Sequence, residues 1–125
     1  MTDNETRTAE AARYAASRFE SIREAVSEYS ADPDSAAVSD MPLDVEVLGN
    51  RSRDKYRVTV LLGTGGPHDE LVYTVSDDSV DSVEYRYADW GWSAYVPLSR
   101  DQADTAEAFL DAILDVGSLS EYLNS

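Results

Sequence analysis

The chain has 125 residues, room for one compact domain and little more. Apolar residues make up 42% of it, which excludes disorder along the whole length, and no run approaches the roughly 18 apolar residues of a membrane-spanning helix. The chain has no cysteine, so disulfides, thiolate metal sites and cysteine nucleophiles are excluded, and the net charge of −15 opposes contact with a nucleic-acid backbone or an anionic membrane.

The first six residues, Met1 to Thr6, read as a frayed tail. Their polar, acidic character offers no apolar secretory segment, and a cytoplasmic protein is expected. From Thr8 to Tyr29 the spacing predicts a helix. Ala15, Phe19, Ile22, Val26 and Tyr29 recur every three or four residues and form one apolar stripe for the core. Residues 30–42, with Pro33, Pro42 and three aspartates, read as a linker to the next element.

Alternating runs follow. Leu43, Val45 and Val47 alternate with acidic residues as in a half-buried strand, and Gly49 to Asp54 supplies a turn. Tyr56, Val58, Val60 and Leu62 return as the second strand of a hairpin. A third strand is predicted from about Leu71 to Val75, with Ser76 to Ser79 as the next turn. The fourth carries Val83, Tyr85 and Tyr87 on one side and Glu84 and Arg86 on the other. A short fifth is expected at Ser93 to Val96, at an edge or ended by Pro97.

Ser99-Arg100-Asp101-Gln102 has the form of a capping box, Ser99 as N-cap and Gln102 three residues on. The helix it opens presents Ala103, Ala106, Leu110 and Ile113, flanked by Phe109 and Leu114, and Gly117 is its natural stop. A last short turn would hold Tyr122 and Leu123. Short links between successive strands favour an antiparallel meander. The expectation is therefore a single α+β domain: a two-layer sandwich with an N-terminal helix, a four- to five-stranded antiparallel meander and a C-terminal helix.

Two segments could carry chemistry. Gly63-Thr64-Gly65-Gly66-Pro67-His68-Asp69-Glu70 contains consecutive glycines, whose amides can converge on an anion. It lacks the Gly-Lys-Ser/Thr ending of a phosphate loop, and a strand follows it, so a tight strand connection is the plainer reading. His68 is the sole histidine; beside Asp69 and Glu70 it could act as a general base, or simply sit on a surface loop. Ala88-Asp89-Trp90-Gly91-Trp92 holds both tryptophans, near Tyr85, Tyr87 and Tyr95. Such rings suit either a core or a recognition patch. Asp77, Asp78 and Asp81 lack the glycine and glutamate of a calcium loop and read as a solvated turn. No metal site and no cofactor is expected.

The stretch from Gly63 to Trp92 resembles a group of small haloarchaeal and phage proteins that share Thr64-Gly65-Gly66-Pro67 and then Asp89-Trp90-Gly91. Those 30 residues are about a quarter of the chain, and the group carries no established activity. The resemblance implies that the two segments form one site. The composition is also similar to that of haloarchaeal cytoplasmic proteins. Nine of the ten basic residues are arginines, Lys55 is the only lysine, and 15 aspartates accompany 10 glutamates. In molar salt such charge is screened over about 3 Å.

The leading expectation is thus a halophilic, cytoplasmic binding or protein-interaction domain. Thr64, Gly65, Gly66, Pro67, His68, Asp89, Trp90 and Trp92 would form its patch. A protein partner suits the aromatic content; direct nucleic-acid or membrane binding does not. Two alternatives stand beside it: a hydrolase using His68 with Asp69 or Glu70, and an acidic mimic of DNA that blocks a DNA-binding enzyme. Oligomeric state is left open by the sequence.

Overall fold

A computed structural model describes residues 3–50, 55–64, 67–76, 79–89 and 91–115. Helix α1 (Asp3–Ala31) leads through a one-turn helix α2 (Ala37–Asp40) into five strands. These are β1 (Asp44–Asn50), β2 (Lys55–Gly63), β3 (His68–Ser76), β4 (Ser79–Asp89) and β5 (Trp92–Val96), and α3 (Arg100–Asp115) closes the order. The strands lie side by side in chain order, every neighbour antiparallel. This is the predicted meander, with its α+β content and flanking helices. No helix among the described residues is long and apolar enough to cross a membrane.

Strand periodicity explains the core. Val45, Val58, Val60, Leu71, Tyr73, Val75, Tyr85 and Tyr87 all face the helices and are buried. From above, α1 delivers Ala11, Ala15, Phe19, Ile22 and Ala25, and α3 delivers Ala106, Phe109, Leu110, Ala112 and Ile113. The alanines let the helices approach closely, and the phenolic hydroxyl of Tyr73 donates to the carbonyl of Ala106 at 2.6 Å, fastening β3 to α3. The capping box forms as the sequence requires: the Gln102 amide donates to Ser99 Oγ at 3.1 Å, and the Ser99 amide donates to Gln102 Oε1 at 2.9 Å.

Several boundaries differ from expectation. Residues 3–6, expected within the frayed tail, are helical, because the buried stripe continues back to Ala11 and carries the helix out over the sheet's end. The expected linker 30–42 contains α2, whose Val38 is fully buried beneath α1 and α3 and anchors the crossing. Leu43 precedes β1 and is 58% exposed; it belongs to the sheet's rim and not to the core. β3 starts at His68, three residues before the expected Leu71. Of the turn predicted at 49–54, Gly49 and Asn50 belong to β1, and of that at 76–79, Ser76 ends β3 and Ser79 opens β4, because strand pairing runs on to those residues. Residues 51–54 and 77–78, and the segment holding Gly117, Tyr122 and Leu123, lie outside the described residues.

Candidate functional site

The early start of β3 reorganises the chemistry of its first residues. Side chains alternate across a strand, so His68 and Glu70 face away from the helices while Asp69 points beneath α1. His68 and Asp69 therefore cannot act as a pair. His68 Nε2 lies 3.4 Å from Glu70 Oε2, and Arg86 Nη1, on the neighbouring strand, lies 3.4 Å from Glu70 Oε1. Glu70 is shared by both. His68 is a strand residue on the open face, not a loop residue.

Asp69 is fully buried, the one buried charged residue among those described. Its carboxylate is held from two sides. Arg18 of α1 approaches with two nitrogens: Nε donates to Oδ2 at 2.7 Å and Nη2 to Oδ1 at 3.1 Å. The Tyr85 hydroxyl of β4 donates to Oδ2 at 2.8 Å. Burial pulls the Arg18 pKa down, but its bond and charge pairing with Asp69 outweigh this, so the guanidinium is held above its usual value. Burial first, then the bond to Asp69, pushes the Tyr85 hydroxyl far up, so it stays a neutral donor. Gly63 makes room for this cluster. A Cβ there would stand 2.5 Å from Asp69 Oδ1 and 3.0 Å from Arg18 Nη2. The register shift between Leu61 and Gly63 is what turns Gly63 toward Asp69. The cluster is a latch between α1, β3 and β4. Among the described residues no buried side-chain nitrogen or oxygen is left without a hydrogen-bond partner, this cluster included.

At the same end of the sheet the β4–β5 turn opens on Gly91, whose φ of +78° is a conformation that favours glycine. The turn places Asp89 opposite Trp92. Trp92, half-buried, stands edge to face with the Tyr87 ring at 6.2 Å and 66°, and Tyr87 in turn meets Tyr14 of α1 at 5.4 Å. Two hollows border these rings. On the open-face side, a cleft of about 300 Å³ is lined by His68, Arg86, Ala88, Asp89, Gly91, Trp92 and Ser93. On the helix side, a pocket of about 170 Å³ is lined by Arg7, Glu10, Tyr87, Asp89 and Trp92. Asp89 and Trp92 belong to both, so the two hollows adjoin around the end of the sheet.

Of the eight residues singled out in the sequence, His68, Asp89 and Trp92 meet at the cleft. Thr64 is exposed and Pro67 half-buried, and neither is among the cleft's walls. Gly65, Gly66 and Trp90 lie outside the described residues. Sequence reasoning missed Arg86 and Ser93 as walls of the cleft, Arg7 and Glu10 as walls of the smaller pocket, and Arg18 and Gly63 as partners of Asp69. One signal was readable: Asp69 shares the parity of Leu71, Tyr73 and Val75, so an acid stood in an apolar row. Among the described residues no three His, Asp or Glu side chains gather to hold a metal ion. No protein-family model, no curated protein and no solved structure matches this chain.

Proposed function

We propose that this chain is a small binding module that docks a protein partner in the cleft at the β4–β5 end of its sheet. The observation that carries this reading is the convergence of His68, Arg86, Asp89 and Trp92 around one hollow of about 300 Å³. An aromatic ring beside charged groups of both signs is the composition of a recognition site, because the ring supplies area and the charges fix orientation. The rest of the open face supports the choice of this end. There, Asp44, Glu46 and Glu84 intermix with Arg57 and Thr59 and with Leu48, Leu61 and Val72, and no tryptophan stands among them. The partner's matching surface is basic, since a chain of net charge −15 attracts positive potential.

The same charge, with its scarcity of lysine, supports a halophilic cytoplasmic protein. Its melting temperature is expected to rise steeply between 0.05 M and 3 M potassium chloride; a melt indifferent to salt would contradict that part of the reading.

Photo-cross-linking tests the site. A benzophenone amino acid at Ser93, an exposed wall of the cleft, is expected to capture a discrete protein partner in cells of the source. The same group at Leu48, 54% exposed on β1 at the opposite edge, is expected to capture none. Capture through Leu48 and not through Ser93 would overturn the assignment.

A further inference from the structure

The smaller hollow has a composition distinct from the cleft. Its walls are two aromatic rings, two carboxylates and one arginine. Tyr87 and Trp92 stand edge to face at 66°, forming an aromatic corner. Glu10 sits one turn of α1 beyond Arg7 and overlooks that corner, and Asp89 closes it from the β4–β5 turn. Burial raises the Tyr87 pKa, and the charges of Asp89 and Glu10 raise it further, so both carboxylates bear on this ring. Summed over Arg7, Glu10 and Asp89, the lining carries −1 inside a chain of −15.

Ring faces carry negative potential and attract cations, Trp most strongly. Carboxylates at the rim add direct charge-assisted hydrogen bonds. The volume of about 170 Å³ matches the end of a side chain or a small ion and is too small for a drug-sized ligand. An anion would meet two carboxylates against the single Arg7, and an apolar group would leave all three charges facing it.

We infer that the hollow between α1 and the β4–β5 turn is a cation pocket that takes an organic ammonium or guanidinium group, with Tyr87 and Trp92 as its aromatic walls and Glu10 and Asp89 as its counter-charges. This inference rests on the docking reading above and sharpens it: the pocket adjoins the cleft through Asp89 and Trp92, so a basic side chain of a docked partner would enter it. The same chemistry would admit a free small ammonium ion, and the test separates the two sources.

The test is a titration of the full chain by nuclear magnetic resonance at constant ionic strength in potassium chloride. The probes are tetramethylammonium chloride and the peptide acetyl-Gly-Lys-Gly-amide, with acetyl-Gly-Glu-Gly-amide as control. Saturable shifts at the Trp92 indole and the Tyr87 and Glu10 amides are expected with the two cations and not with the control. Glu10→Gln, on the exposed face of α1, and Asp89→Asn are each expected to weaken binding by roughly threefold to tenfold. Their melts report whether each variant stays folded. Tighter binding of the lysine peptide than of tetramethylammonium assigns the pocket to a partner's side chain; the reverse order assigns it to a small free cation. Cation shifts no larger than those of the control, or binding unchanged in both variants, would overturn the inference. A partner captured through Ser93 whose affinity ignores Glu10→Gln and tetramethylammonium would overturn the partner's side chain as the pocket's occupant and leave the docking cleft standing.

Discussion

Replacing Asp69 by Asn tests the latch with a change of one atom. The carboxylate is fully buried and accepts three hydrogen bonds, two from Arg18 and one from Tyr85. An amide keeps the shape but places an N–H where one of those donors points, and it removes the counter-charge of Arg18. Breaking one side of a buried pair costs about 3–5 kcal/mol. The Arg18 side chain is 22% exposed, so water recovers part of that loss, and a cost of about 2–4 kcal/mol remains. Unfolding entropy for 125 residues is about 0.26 kcal/mol per kelvin, so the melting temperature should fall by roughly 8–15 °C. Circular dichroism melts in molar potassium chloride, wild type against Asp69→Asn, read this directly. A shift under 2 °C would refute the claim that this cluster ties α1 to the sheet.

Three further outcomes are expected. Gly63→Ala puts a methyl group 2.5 Å from Asp69 Oδ1, so it should destabilise by about 1–3 kcal/mol, and by much less in an Asp69→Gly background; equal effects in both backgrounds would show that the close approach is not the cause. Ser99→Ala removes the acceptor for the Gln102 amide and should cost about 1 kcal/mol, a few degrees of melting temperature, with α3 otherwise intact. Tyr73 and Tyr85 are fully buried, and burial raises both pKa values above the ordinary 10.0. The unfolded chain therefore loses these protons first. The stability they contribute is complete below pH 10 and falls above it, by about 1.4 kcal/mol per pH unit for each tyrosine while the folded ring stays protonated. Tyrosinate absorbance should rise together with the loss of helix signal; ionisation of all eight tyrosines in a still-folded chain would contradict this.

Local rules sufficed for most of the fold. Alternation at Val58, Val60 and Leu62 and at Val83, Tyr85 and Tyr87 read out which strand faces are buried, and the Ser99–Gln102 spacing read out the start of α3. Short links gave the meander order. What escaped depended on contacts distant in sequence. α2 forms around one residue, Val38, whose burial needs α1 and α3 already in place. The start of β3 was hidden because Asp69 breaks an apolar row, and only Arg18, 51 residues earlier, makes its burial tolerable.

The site was half legible for the same reason. Asp89 and Trp92 attract notice by composition, and a β3–β4 hairpin brings them near His68, which pairs with Ala88. Arg86, Ser93, Arg7 and Glu10 are ordinary surface residues in the sequence. Only strand register and the length of α1 bring them to the same end of the sheet.

The central claim is that the β4–β5 end of the sheet is where this chain meets a protein. It is tested most directly by calorimetry with the partner captured through Ser93, comparing wild type, the paired change Arg86→Ala/Asp89→Asn, and Leu48→Ser at the far edge. The cleft pair is expected to weaken binding at least about tenfold while melting close to wild type, with Leu48→Ser unchanged. Undiminished affinity in the cleft pair, or a loss confined to Leu48→Ser, would place the interface elsewhere on the molecule.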